Sequence, residues 1–121
     1  MFKFIDGLPP NVLAIEASGT VTHEDYRDTI IPETEAMAAK GPIKLLYVIG
    51  PEFTNFEAEA LWDDSKLGFT LRHHFSFVAI VSDVNWIRTS VSMFKPFFRC
   101  DVRLFSLAKL AAARVWITNA K

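Results

Sequence analysis

The chain holds one cysteine in 121 residues. Cys100 alone excludes an intramolecular disulfide, a CxxC redox pair and a zinc cage built on cysteines, and it points to a reducing, cytosolic setting. Long apolar runs are missing too. No stretch reaches the ~18 residues that a membrane-spanning helix needs. The opening Met1-Phe2-Lys3-Phe4-Ile5-Asp6 carries one lysine and an early acid, which is not a secretory leader. Six prolines and five glycines are scattered as single breakers, so neither a linker nor a low-complexity tract divides the chain. No internal repeat is present. Residues 1–121 read as one domain.

Catalytic signatures are equally scarce. There is no GxSxG, no glycine-rich phosphate loop and no cysteine–histidine pair at a supporting spacing. His73-His74 point about 100° apart on a helix, and neither HxxxH nor HxxE occurs, so no metal site and no cofactor are expected. The acidic pairs Glu24-Asp25, Glu57-Glu59 and Asp63-Asp64 diverge on polar helix faces and read as solvated surface. The residues thus predict a protein that is not an enzyme.

Half of the residues are hydrophobic and 22% are charged, enough for a packed core. The net charge of −1 hides a division. Residues 16–64 carry 11 acids and 3 bases, and residues 65–121 carry 2 acids and 9 bases. Such asymmetry can steer a partner or an anionic surface. The bases form no run and no nucleic-acid-binding motif appears, so no nucleic acid is expected.

Periodicity predicts the elements. Phe2–Ile5 and Asn11–Ala17 read as a β-hairpin around Asp6-Gly7-Leu8-Pro9-Pro10, with Val12, Ala14 and Glu16 on one face and Leu13, Ile15 and Ala17 on the other. Ser18-Gly19 breaks that strand. Thr22 caps a helix to about Lys40 that packs Tyr26, Ile30, Thr34 and Met37, with a kink or break at Pro32. Ile43–Ile49 is a strand buried on both faces, followed by a loop at residues 50–55. A helix over Phe56–His73, a strand at Phe75–Val81, a helix from Val84 to about Phe94 capped by Ser82-Asp83, a strand at Val102–Phe105 and a helix over Leu107–Asn119 complete the chain. Leu110, Ala113, Val115, Trp116 and Ile117 are its packing residues. The order β-β-α-β-α-β-α-β-α implies an α/β fold with a mostly parallel sheet of four to five strands and helices packed along it.

The third helix is the most informative segment. Ile87, Val91, Phe94 and Phe98 can face the sheet, and Trp86, Ser90, Met93 and Phe97 form a second apolar stripe. A surface helix needs only one stripe. The second fits a larger core closed by the last helix and Trp116, a ligand or membrane surface, or a protein interface. Lys95, Arg99 and Arg103 flank it, and apolar residues beside cations suit an anionic bilayer. Trp62, on the second helix with Phe69, can wall a groove with Trp86, and aromatic walls with few polar groups suit an apolar ligand.

Several segments also resemble the bacterial SpoIIAA-like family: Gly19-Thr20-Val21-Thr22-His23-Glu24-Asp25-Tyr26, Ile31-Pro32-Glu33, Ala60-Leu61-Trp62-Asp63-Asp64-Ser65-Lys66-Leu67-Gly68, and Val81-Ser82-Asp83-Val84-Asn85-Trp86-Ile87-Arg88. That family is similar in fold to STAS domains and to lipid-carrying CRAL-TRIO domains. The resemblance implies two roles. One is binding of an apolar or lipid-like ligand, with membrane association. The other is a STAS-type switch phosphorylated at a helix start and acting on a regulatory protein partner or a homo-oligomer. The matching loop has no Asp-Ser pair. Thr54 is its only hydroxyl and hence the candidate phosphosite, with Glu52 and Glu57 placed to repel a phosphate.

Together these readings predict a non-enzymatic binding protein. Its apolar groove is lined by Trp62, Phe69, Trp86, Met93, Phe94 and Phe97. Reversible membrane contact runs through Lys95, Phe98, Arg99 and Arg103. Its place is the cytoplasm, peripheral to the inner face of the membrane.

Overall fold

A computed structural model describes residues 1–57, 75–97 and 100–121. Five strands form one sheet in the order β1-β2-β3-β4-β5: β1 (Phe2–Phe4), β2 (Val12–Val21), β3 (Ile43–Phe56), β4 (Phe75–Val81) and β5 (Asp101–Phe105). Strand β1 runs antiparallel to β2, and every other pairing is parallel. The helical elements are α1 (His23–Asp25), a π-helical turn (Tyr26–Ile30), α2 (Ile31–Ala38), α3 (Asn85–Phe94) and α4 (Leu110–Asn119). The expected helix over Phe56–His73 lies outside the described residues except at its start, where Phe56 belongs to β3.

Strict alternation along the strands splits the core into two layers. Leu13, Ile15 and Ala17 of β2 and Tyr47 and Ile49 of β3 pack with Tyr26, Ile30 and Ile87 on one face. Val12, Ala14, Leu46, Val48, Ala79 and Val81 face the other way, against Ala113 and Ile117 of α4. The last helix therefore covers the face opposite α3. A third cluster, Ile43, Phe75, Val78 and Val102, lies beneath Met37 and Val91 at the start of the parallel strands.

Two breaks read from the sequence turn out to be continuations. Strand β2 passes through Ser18-Gly19 with a bulge: its register against β3 shifts around Gly19, which sits at φ 60°. A left-handed residue absorbs the bulge, and glycine does so without a Cβ clash. Strand β3 continues through the expected loop to Phe56, because β2 keeps pairing with it as far as Val21↔Phe56. The kink or break expected at Pro32 takes the form of a widened turn just before it. Proline has no N–H and its ring crowds the carbonyl four residues earlier. The preceding π turn relieves this, and the Ile31 N–H donates to Tyr26 C=O. Tyr26, Ile30 and Thr34 are buried as expected, and the Thr34 hydroxyl donates to Ile30 C=O at 2.7 Å.

Two polar devices hold the elements. Lys44 is buried among apolar residues of β3, and its Nζ donates to Ile117 C=O at 3.0 Å and Thr118 C=O at 3.3 Å. A cation there satisfies two carbonyls at the negative end of α4. At the other helical entry Thr22 and Asp25 form a reciprocal capping box. The Asp25 carboxylate also accepts the Met1 ammonium at 2.9 Å. Partial burial opposes its ionised form, but the Thr22 N–H and the ammonium outweigh that and hold its pKa below the ordinary carboxylate value.

Lys44→Met should lower the unfolding free energy by about 1–2 kcal/mol, because the apolar stem remains while two carbonyls lose a charged donor. Urea denaturation with an unchanged m-value measures this. Asp25 has a depressed folded pKa, so its contribution is present above the unfolded value near ~4 and is lost as pH falls through the folded value. Asp25→Asn, with Met1 as first residue, should therefore be less stable than the parent at neutral pH. Denaturation midpoints measured against pH should show the gap closing below pH ~4.

Candidate functional site

The chain between Val84 and Cys100 holds no acidic residue. Its helix begins with a correction to the expected cap. Val84 is the extended N-cap residue of α3 and makes no side-chain cap. Ser82 Oγ accepts the Val84 N–H at 3.0 Å, while Asp83 Oδ1 accepts the Leu107 N–H at 3.0 Å and ties down the final helical segment. Arg88 locks the helix to the sheet. Its Nη1 donates to Ser82 C=O at 2.7 Å and to Phe105 C=O at 3.0 Å, which makes this arginine an internal clamp.

Ile87 is buried and Val91 packs against the core, as their spacing predicts. Phe94, expected on that stripe, is instead 56% exposed. Helix α3 makes its last core contact about one turn earlier, and every residue from Ser92 to Phe97 is exposed. Met93 is 66% exposed, Phe97 76% and Trp86 49%. The second stripe is thus an outward ridge. A core closed over it by Trp116 is ruled out, since Trp116 packs against Phe77 and Phe105 on the opposite face of the sheet. Val115, expected to pack, is exposed as well.

The ridge has two ends. Trp86 leans edge-on against Phe56 of β3, with ring centroids 6.0 Å apart, and Phe56 touches Phe53 in turn. Met93, Phe94 and Phe97 cluster at the other end, which 1.5 Å of rise per residue puts about 10 Å further along. Lys95 is exposed among them, in a 3-10 turn over Lys95–Phe97. Beside this end, a depression of about 440 Å³ runs between α3 and β5, lined by Arg88, Thr89, Ser92, Met93 and Leu104. A second, of about 330 Å³, lies near Phe4, Leu13, Met37 and Ile43, toward the β1 edge of the sheet.

Trp62 and Phe69, the expected second wall of a groove, lie outside the described residues, as do Phe98 and Arg99. Arg103 does not join Lys95. It projects on the α4 face, its guanidinium carbon 5.1 Å from the centre of the Trp116 ring, because residues of β5 alternate between faces. Thr54 is exposed within β3, flanked by strand residues on both sides, so the expected helix-start setting for a phosphate is absent there. Sequence reasoning missed Phe53 and Phe56 as supports of Trp86. The signal was the pair Phe53 and Phe56, three residues apart, which the continued strand β3 brings to the start of α3.

A mostly parallel five-stranded α/β sheet with one antiparallel edge, and helices on both faces, defines the class of this domain. The chain belongs to the SpoIIAA-like family, whose model matches residues 12–118. It is similar to an uncharacterized protein of the DUF3478 family with a SpoIIAA-like fold, from Shewanella loihica PV-4. The two share 28% identity at a TM-score of 0.70, over 88% of this chain and 83% of that one. No curated protein matches the sequence. No helix among the described residues is long and apolar enough to cross a membrane.

The two stripes of α3 should separate in stability measurements. Ile87→Ala should cost about 2–4 kcal/mol, as buried large-to-small changes do. Phe97→Ser should stay within about 0.5 kcal/mol of the parent. Thermal or urea unfolding of the two variants checks this.

Proposed function

We propose that this SpoIIAA-like domain is a non-enzymatic, cytoplasmic protein that docks reversibly on the anionic inner face of a membrane through the end of α3. The observation that carries the reading is the run of exposed residues from Ser92 to Phe97, which presents Met93, Phe94 and Phe97 around Lys95. Exposed phenylalanines would leave water for the acyl boundary, while the lysine stays with the headgroups. The absence of acids from Val84 to Cys100 keeps an anionic surface from being repelled. Arg88 keeps its charge, but its Nη1 is held by the carbonyls of Ser82 and Phe105. The apolar ligand of this reading is therefore lipid met at the surface, with Trp86 as a second, shallower contact.

Flotation with phosphatidylglycerol vesicles and with phosphatidylcholine vesicles, at low and high salt, tests it. Binding should be confined to the anionic vesicles and should weaken with salt. Phe94→Ser combined with Phe97→Ser should reduce binding at least about tenfold, since each buried phenylalanine contributes about 1.5–3 kcal/mol. Lys95→Glu should weaken it while leaving stability unchanged. Absence of flotation under every condition overturns the reading.

A further inference from the structure

Arg88 is partly buried and forms no ion pair with a described residue. Its two Nη1 bonds, to Ser82 C=O and Phe105 C=O, fix the plane of the guanidinium. The side chain has further donors, Nε–H and the two Nη2–H, and none of them has an acceptor among the described residues. Nε and Nη2 form the edge with which arginine grips an oxyanion in bidentate fashion. Arg88 lines the depression of about 440 Å³ between α3 and β5 with Thr89, Ser92, Met93 and Leu104. Thr89 and Ser92 are exposed, and their hydroxyls bond to no described residue, whereas Ser90 Oγ donates to Trp86 C=O. Every polar side chain that lines the groove thus holds an unused donor, and no acid lines it.

The acids nearest in sequence are turned elsewhere. Asp83 Oδ1 accepts the Leu107 N–H. Asp101 shares the α4 face of β5 with Arg103, because strand residues two apart point the same way. Helical spacing adds a second cation instead. At about 100° per residue, Ser92 and Lys95 return to within about 40° of Arg88 around α3. A guanidinium already held by two carbonyls loses little freedom on binding, which favours a ligand that matches its fork.

We propose that this groove is a phosphate site and, resting on the membrane reading above, that it takes the headgroup phosphate of the anionic lipid on which the domain docks. Arg88 Nε–H and Nη2–H grip two phosphate oxygens, and the Thr89 and Ser92 hydroxyls donate to them from the side. Met93 borders both the groove and the apolar ridge. One lipid therefore lays its acyl chain against Met93 and Phe97 while its phosphate reaches Arg88. The lengths agree. Six residues separate Arg88 from Phe94, about 9 Å of helix, and an interfacial apolar face sits about 5–10 Å into the headgroup and acyl boundary. The ridge supplies apolar burial, and the groove decides which headgroup is held.

Nuclear magnetic resonance of the isotope-labelled full chain reads the Arg88 Nε–H directly. Inorganic phosphate should shift that signal in a saturable way, and so should dihexanoyl phosphatidylglycerol below its micelle concentration. Sodium chloride at the same ionic strength should not. Ser92→Glu places a carboxylate in the groove and should weaken both responses at least about tenfold, with the urea midpoint unchanged because Ser92 is exposed. Thr89→Val combined with Ser92→Ala leaves the charge alone and should weaken flotation with phosphatidylglycerol vesicles about fivefold or more. An Arg88 signal that neither probe shifts overturns the proposal, even where the parent floats; docking then rests on the ridge and Lys95 alone. A saturable shift without flotation removes the membrane reading and overturns the lipid as source, leaving a soluble phosphate ester as the ligand. Flotation that the two hydroxyl changes leave intact overturns the lipid as source in the same way.

Discussion

Burial of residues 43–48 of β3 on both faces and both edges is the constraint on which the domain depends. Its neighbours are β2 and β4, and its side chains alternate between the two helical layers. Tyr47 and Ile49 enter one layer, Leu46 and Val48 the other. A slip of one residue would exchange every one of these. Lys44 makes the register stricter still. Placed as it is, its charge reaches the carbonyls that end α4. Shifted to the other face, it would meet the apolar cluster of Ile43, Phe75 and Val102, where burying an ammonium without a partner is prohibitive.

From that strand outward the structure becomes progressively less enclosed. The π-helical turn between α1 and α2 seats Tyr26 and Ile30 fully, and the Tyr26 and Tyr47 hydroxyls meet at 2.8 Å inside the same layer. Helix α3 commits only Ile87 and Val91 before it passes its last core contact. The sheet narrows in step, from a fourteen-residue β3 to a five-residue β5. The surface that remains available for recognition, the α3 ridge, lies at this thin side. Arg88 permits the exposure, because its bonds to Ser82 and Phe105 fix the helix without an apolar cover.

Where periodicity was strong and local, the sequence was legible. The strand at Phe75–Val81 matches residue for residue, and the faces of β2 follow from alternation alone. Breakers misled where pairing with a neighbour outweighs local preference. Gly19 marks a bulge, and Gly50-Pro51 lies within a strand that continues because β2 runs beside it. The proposed site shows the same division. That α3 carries more apolar surface than one face can bury is a count of residues. That its last turn overhangs the core, leaving Phe94 exposed, depends on how far β5 reaches beneath it. Sequence proximity grouped Arg103 with Lys95, but strand alternation sends it to Trp116.

The placement of α4 has a consequence for how the chain is made. Val12, Ala14, Leu46, Val48, Ala79 and Val81 present one apolar layer, and Ala113 and Ile117 cover it. The strands that carry these six residues are all synthesised by Val81, yet the cover is complete only some thirty-six residues later. At ~5–20 residues per second, the ribosome leaves this layer bare for about 2–7 seconds. The nascent domain therefore passes through a sheet clad on one side only, a transient substrate for holding chaperones and a window in which two chains on one polysome could associate wrongly.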